Sequence, residues 1–216
     1  MEQEEPRQAK NVSFMLCPND HTSLLQVRDD EASKPLQFPG GWCKVYDKNG
    51  ASYLSWDEIN RLTPEERKRQ EEPLDQAVVR ECIEEFGLWP ASATFMPFDL
   101  HFMGGYTLVR EGKPDAQVYL TSIPINPDWI GNLQRIKEED EVGGKLNLRE
   151  GSSIGLYPLS EELLRENLYG NDRRMMEMYL HDRAKIDQAA FKIGLQHVRF
   201  PEPIQQKLEA MVTVRA

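Results

Sequence analysis

The chain has 216 residues and a formal net charge of −10 at pH 7, from 36 acidic and 26 basic side chains. This length suits one domain that buries a sizeable apolar core. The acidic balance argues against a protein held on duplex nucleic acid by phosphate neutralisation, but it leaves small phosphorylated ligands open.

Cysteine usage and hydropathy narrow the class of protein further. Cys17, Cys43 and Cys82 show no C-x-x-C spacing, so they predict neither a disulfide framework nor a zinc site. A reducing cytoplasm fits this pattern best. The polar N-terminus and the absence of a run of about 18 apolar residues predict neither export nor a membrane span.

The first predicted elements are two short strands. Residues 1–10 are expected to form a flexible tail, and the domain is expected to span 11–216. Residues 11–16 and 23–27 have strand character and flank turn residues, which predicts a hairpin. A loop is predicted at Pro39-Gly40-Gly41.

Residues 42–71 are polar and predict a turn and a short helix. Asn49-Gly50 is a turn signal. Thr63 followed by Pro64 is an N-cap candidate with proline at the first helical position. A longer helix is predicted over about 73–86, with Gly87 as its stop.

The second half of the chain alternates strands and loops before it becomes helical. Strands are predicted at 106–109, 117–123 and 154–159, and a charged, glycine-rich loop at 137–150. Two helices are predicted from about residue 160. The second is expected to carry a core stripe at helical spacing, formed by Met175, Tyr179, Ile186, Ala190 and Ile193.

The helix at 73–86 crowds its acids beside an apolar face. Steps of about 100° place Leu74, Val78, Cys82 and Phe86 together, widened by Val79 and Ile83. Glu81, Glu84 and Glu85 fall on an adjoining arc, where like charges three or four residues apart repel. A divalent cation would reverse that repulsion, and Mg²⁺ or Mn²⁺ prefers oxygen ligands. The alternative is an ordinary solvated helix face.

A longer motif surrounds these acids. The motif starts at Glu72 and continues, after seven residues, with Arg80-Glu81, the apolar Cys82, any residue, Glu84-Glu85, any residue, Gly87 and the apolar Leu88. This pattern resembles the second part of the Nudix hydrolase box. That box begins with a glycine six residues before its first glutamate, where this chain has Glu66. The nearest matching glycine is Gly41, so residues 42–71 are interpreted as containing an insertion of about 25 residues, which costs little loop entropy.

The resemblance implies an α/β fold, the Nudix-like α/β/α sandwich with a mixed central sheet. It also implies metal-dependent hydrolysis of the pyrophosphate linkage in a nucleoside diphosphate derivative, with ADP-ribose or a nucleotide sugar as examples. The implied metal ligands are Glu81, Glu84, Glu85 and the carbonyl of Gly40, with Mg²⁺ or Mn²⁺ bound. Alternatively, Glu81 is the general base instead of a ligand, and Arg80 would pair with Glu72. Many relatives supply a further acid from a late loop, for which Glu150 is the first choice and Glu138, Glu139 and Glu141 are competitors.

Three other interpretations stay open. One is a Nudix-fold module that binds a nucleotide without cleaving it, and another is a pyrophosphohydrolase acting on a capped RNA 5′ end. In the third, the motif is accidental and the acids are surface charges. Within the insertion, Trp42, Tyr46, Tyr53 and Trp56 either stack on a base or anchor the insertion to the domain. Its basic residues, Arg61, Arg67, Lys68 and Arg69, either bind phosphate or form an exposed helix face.

Overall fold

A computed structural model describes residues 9–19, 22–28, 32–33, 35–86, 99–108, 116–124, 152–170, 172–186, 192–194 and 198–213. Its strands, in chain order, are β1 (Ala9–Asn19), β2 (Thr22–Arg28), β3 (Leu36–Gln37), β4 (Gly40–Trp42), β5 (Asp99–Leu108), β6 (Ala116–Pro124), β7 (Ser152–Pro158) and β8 (Lys192–Gly194). Its α-helices are α1 (Trp56–Ile59), α2 (Pro64–Gln70), α3 (Leu74–Phe86), α4 (Asp172–Ile186) and α5 (Glu202–Thr213). A 3₁₀ turn spans Leu163–Arg165.

The described strands form one mixed sheet, as the sequence predicts. The main order is β3-β2-β1-β6-β5-β8, while β4 pairs with β1 and β7 pairs with β2. Strands β1 and β6 run parallel from Ala9 opposite Ala116 to Cys17 opposite Pro124. The other pairings among the described strands are antiparallel, including the predicted β1–β2 hairpin.

Helices cover both faces of this sheet. Successive side chains of a strand point to opposite faces, so Ser13 and Met15 share one face of β1, and Phe14 belongs to the other. Met15 lies in a buried cluster with Met175 and Tyr179 of α4, and the Ser13 hydroxyl lies 3.2 Å from the sulfur of Met175. Helix α3 contributes no residue to that cluster and contacts β1 and β4. The arrangement is an α/β/α sandwich.

Two predictions for the first part of the chain differ from the structure. Strand β1 begins at Ala9, inside the expected tail. The Pro39-Gly40-Gly41 loop instead contains β4, because Gly40 and Gly41 pair with Ser13 and Val12 of β1. Such a short strand depends on its partner strand and has no alternating pattern of its own.

The prediction of a core stripe along the second C-terminal helix is also partly wrong. Met175 and Tyr179 are buried on α4 as predicted, but Ile193 lies in β8 and pairs with Leu100 of β5. Helix α4 ends at Ile186, and Ala190 lies outside the described residues. Ile186 and Ile193 are seven residues apart, which fits a helix, but Ile186 is the last residue of α4 and Ile193 lies in β8.

The insertion is a folded unit with its own caps. Both of its helices begin with a capping box, Ser55 with Glu58 for α1 and Thr63 with Glu66 for α2. Gly50 adopts φ 66° in the predicted turn. None of the described helices is long and apolar enough to cross a membrane. Cys17, Cys43 and Cys82 are free thiols, and burial, followed by the charges of Glu72 and Glu71, raises the pKa of Cys43 to about 12.

A buried carboxyl connects α4 to the segment that precedes β4. Asp172, the first residue of α4, accepts a hydrogen bond of 2.9 Å from the backbone N–H of Phe38. Burial raises the pKa of Asp172 to about 8, and the Phe38 amide opposes this rise. The folded state therefore binds the proton more tightly than the unfolded chain.

This shift predicts how stability depends on pH. The stabilisation from protonated Asp172 is fully present below pH 4, falls as pH rises from about 4 to about 8, and is lost above that range. The largest slope is about 1.4 kcal/mol per pH unit. Asp172→Asn should remove this slope and should unfold at higher urea concentration than wild type at pH 8. A wild-type protein that gains stability relative to Asp172→Asn between pH 5 and pH 8 would contradict the shift.

Candidate active site

Helix α3 carries the acids and is buried on most sides. The N–H of Ala77 donates to the carbonyl of Pro73 at 2.9 Å, which closes the first turn where the sequence predicts the helix to begin. The predicted apolar face is buried at Val78, Val79, Cys82 and Ile83. Gly87 and Leu88 lie outside the described residues.

Arg80 is the centre of the site. Among the residues that the structure describes, it is the largest fully buried side chain, with no exposed surface. Its Nε donates to Glu72 Oε1 at 2.9 Å, and its Nη2 donates to Glu72 Oε2 at 3.0 Å. Nη2 also donates to the carbonyl of Trp42 at 2.9 Å. The fork of the guanidinium thus binds one carboxylate with two nitrogens, which a lysine could not do.

The remaining nitrogen of Arg80 holds two of the crowded acids. Nη1 donates to Glu81 Oε1 and to Glu84 Oε2, each at 2.7 Å. Burial favours the neutral form of Arg80, but the charges of Glu81 and Glu72 outweigh it and raise its pKa. Arg80 therefore remains a cation and offsets part of the repulsion between the acids.

Glu72 joins the insertion to this network. Its Oε2 accepts from the backbone N–H of Lys44 at 3.0 Å, and its own N–H donates to the carbonyl of Lys44 at 2.9 Å. Since the Glu72 side chain has 0% exposure, its charge depends on Arg80 and the Lys44 amide for compensation. Arg80 thus contacts both ends of the insertion, the Trp42 carbonyl at its start and Glu72 directly after it.

The carboxylates differ in accessibility, and Glu85 is buried. The Glu81 side chain is 10% exposed and that of Glu84 is 31% exposed. Burial raises the pKa of Glu81; Arg80 opposes this shift, and the charge of Glu84 adds to it. A carboxylate with a raised pKa accepts a proton more readily near neutral pH.

The two glycines of β4 lie against these acids. The N–H of Gly40 donates to Glu85 Oε2 at 3.3 Å. A Cβ added at Gly41 would overlap the Glu81 carboxylate, at 2.5 Å from its Cδ. Glu66, which occupies the expected glycine position in the sequence, instead accepts from the N–H of Thr63 at 2.9 Å in the cap of α2. Gly41 therefore lies beside the acids, whereas Glu66 lies in the cap of α2.

Alanine at the two glycines should have different effects. At Gly40, φ is 151° and a Cβ would meet backbone atoms of β1, so Gly40→Ala should destabilise the fold. At Gly41 the obstacle is the Glu81 side chain, which can move. Gly41→Ala should change the urea midpoint less than Gly40→Ala while it lowers turnover about tenfold or more. Equal turnover in Gly41→Ala and wild type would show that the position of the Glu81 carboxylate is unimportant.

The donor set fits a hard divalent cation in its chemistry. Glu81, Glu84 and Glu85 offer carboxylate oxygens, and Gly40 has a carbonyl at the same edge of the sheet, which are oxygen ligands of the kind that Mg²⁺ accepts. Gly41, which has no side chain, leaves room for the Glu81 carboxylate. As the side chains stand, however, no group of three or more His, Cys, Asp or Glu among the described residues is arranged to hold a metal ion. Glu138, Glu139, Glu141 and Glu150 lie outside the described residues.

Two of the four aromatic residues singled out in the sequence, Tyr46 and Tyr53, contact residues of α3. The ring of Tyr53 lies 5.9 Å from Cζ of Arg80. Tyr46 stacks on Tyr53, with ring centroids 5.4 Å apart. The anchoring interpretation therefore holds for these two residues, whereas Trp56 is 56% exposed.

The chain is similar to many solved structures, of which two are described. One is a NUDIX hydrolase from Nitrosomonas europaea, 15% identical, with a TM-score of 0.48, covering 89% of this chain and 98% of its own. The other is a MutT NUDIX hydrolase from Burkholderia pseudomallei, 15% identical, with a TM-score of 0.40, covering 80% of this chain and 98% of its own. Both carry the family name that the motif resembles. No family model and no curated protein matches the chain.

Proposed function

We propose that this protein is a Mg²⁺- or Mn²⁺-dependent Nudix-type hydrolase that cleaves the pyrophosphate linkage of a small nucleoside diphosphate derivative, such as ADP-ribose or a nucleotide sugar. The observation that carries the proposal is the Arg80 network. It ties Glu72, Glu81 and Glu84 of the motif to one guanidinium. The amide of Gly40 brings Glu85 to the same edge.

Each residue has a separate part in this proposal. Glu81, Glu84 and Glu85 hold the cation, together with the carbonyl of Gly40. Glu150 is proposed as the further acid from the late loop. Arg80 and Glu72 orient the carboxylates and are positioning residues, because their contacts are to other protein groups.

The chemistry is attack of water on one phosphorus, with departure of a phosphate-bearing group. A bound divalent cation would polarise phosphoryl oxygens and neutralise charge that develops on them. Glu81, whose carboxylate lies against Gly41 and accepts from Nη1 of Arg80, is alternatively the group that accepts the proton of the attacking water. Glu84 is more exposed and can approach a ligand from solvent.

The experiment is a substrate panel. The purified protein would be incubated with Mg²⁺ or Mn²⁺ and with ADP-ribose, nucleotide sugars, dinucleoside polyphosphates, NADH or capped RNA. Release of a phosphate-bearing product that disappears in Glu85→Gln supports the proposal and names the substrate. Turnover of capped RNA alone would instead identify the RNA 5′-end alternative. Silence across the panel overturns the proposal.

One observation favours a second candidate function, a module that binds a nucleotide without cleaving it. Nη1 of Arg80 already donates to both Glu81 and Glu84, so these acids have a hydrogen-bond partner without a metal ion. Such a module would bind members of the same panel in calorimetry, would release no product, and would show no rise of its melting temperature with Mg²⁺ alone.

A further inference from the structure

The insertion places an aromatic ring against the buried cation of the site. Cζ of Arg80 lies 5.9 Å from the centroid of the Tyr53 ring, within the range of a cation–π interaction. The hydroxyl of Tyr53 is buried and makes no hydrogen bond of normal geometry to any described residue, although it lies near enough to the Tyr46 hydroxyl to oppose the rise of the Tyr46 pKa that burial causes. The contribution of Tyr53 to the site is therefore that of its ring.

The Tyr53 ring is held in place from behind. Tyr46 stacks on it with ring planes inclined by 27°, and the backbones of the two residues pair. The hydroxyl of Tyr46 donates to Gln76 Oε1 at 2.8 Å, and Nε2 of Gln76 donates to the carbonyl of Arg199 at 2.7 Å. Gln76 and Arg80 are four residues apart and share one face of α3. The two rings thus contact Gln76 and Arg80, which lie about one turn apart on the helix that carries the acids.

The orientation of Arg80 determines where two acids lie. Its Nη1 is the shared donor to Glu81 and Glu84, so a rotation of the guanidinium would release both carboxylates. Glu72 binds Nε of the guanidinium and the Trp42 carbonyl binds Nη2, so both restrain this side of the group. The Tyr53 ring adds a restraint from a residue outside the motif.

We propose that Tyr53 is a positioning residue of the site. Its ring restrains Arg80, and Arg80 in turn holds Glu81 and Glu84 where a divalent cation binds. The proposal deepens the proposed function and rests on it for its catalytic consequence. It assigns the insertion a part in assembling the metal-binding carboxylates, in addition to any part in substrate choice.

A matched set of variants tests the ring separately from the hydroxyl. Tyr53→Phe keeps the ring and removes a buried hydroxyl that makes no hydrogen bond of normal geometry, so it should match wild type. Tyr53→Leu removes the ring and should lower kcat about tenfold, with KM changed less than about threefold. If Tyr53→Leu does not fold, Tyr53→Met fills more of the ring's volume with a flexible side chain.

Two readouts do not depend on turnover. Mn²⁺ titration followed by electron paramagnetic resonance should show weaker binding in Tyr53→Leu than in Tyr53→Phe. The Nε–H resonance of Arg80 should lose the ring-current shift of Tyr53 in Tyr53→Leu alone. A Tyr53→Leu protein that has a lower melting temperature, with wild-type kcat, Mn²⁺ affinity and Arg80 resonance, would overturn the positioning role and leave the proposed function standing.

Failure of the proposed function can be distinguished from failure of the Tyr53 proposal. If wild type cleaves nothing in the substrate panel, the proposed function fails. The Mn²⁺ and Arg80 measurements still decide whether Tyr53 positions the acids. Equal losses in Tyr53→Phe and Tyr53→Leu would also overturn the proposal, because they would assign the effect to the hydroxyl.

Discussion

Glu85→Gln is expected to lower turnover about 100-fold or more while the protein stays folded. Glu85 is buried and accepts the amide of Gly40 through Oε2. Glutamine keeps an oxygen at the same distance along the side chain and can still accept that amide. It removes the negative charge that a cation needs, so the loss should appear in kcat and in Mg²⁺ dependence more than in stability.

Stability without metal provides a second test of the same substitution. Crowded carboxylates repel one another, so removing the charge of Glu85 is stabilising. This gain offsets part of the destabilisation caused by burying the glutamine amide group. The melting temperature of metal-free Glu85→Gln should therefore lie within a few degrees of wild type, and its rise with Mg²⁺ should be smaller. Glu177→Gln on α4, a helix on the opposite face of the sheet, is the control and should change neither turnover nor the Mg²⁺ effect. Full activity in Glu85→Gln would remove Glu85 from the metal site.

Much of the fold was predictable because its signals are local. The start of α3 follows from Pro73 and an amphipathic pattern, and the capping box that begins α2 is visible at Thr63 and Glu66. The β1–β2 hairpin also follows from neighbouring residues, since strands and turn lie within about 20 positions. Each of these elements is encoded within a short window.

The errors lie where structure depends on distant partners. Strand β4 has three residues and forms because β1 lies beside it. Ile193 continues the spacing of the α4 stripe, yet its backbone pairs with Leu100. Periodicity within one segment contains no information on such pairings.

The site shows the same division. The spacing of Arg80, Glu81, Glu84 and Glu85 predicts that these residues share one end of a helix, and they do. The complete burial of Arg80 was not predicted, because it depends on the insertion folding over α3. The contact between Tyr53 and Arg80 likewise joins residues that are distant in the sequence, and it follows no motif.

Arg80→Met should be the most destabilising of the substitutions considered, by about 3–5 kcal/mol in the free energy of unfolding. Methionine fills part of the space, but it leaves the Glu72 carboxylate buried without its bidentate partner. It also removes the donor to the Trp42 carbonyl. Arg80→Lys should cost less than Arg80→Met, because lysine keeps the charge and loses the fork.

The origin of that cost can be separated with a double-mutant cycle. If the main penalty is an uncompensated buried charge on Glu72, then Glu72→Gln should rescue part of the stability lost in Arg80→Met. Glutamine can still accept the N–H of Lys44, so this contact at the base of the insertion is kept. Urea unfolding of wild type, both single variants and the double variant gives the coupling energy. Additive losses would mean that Arg80 stabilises the fold through packing and the Trp42 carbonyl, and that its pairing with Glu72 adds little.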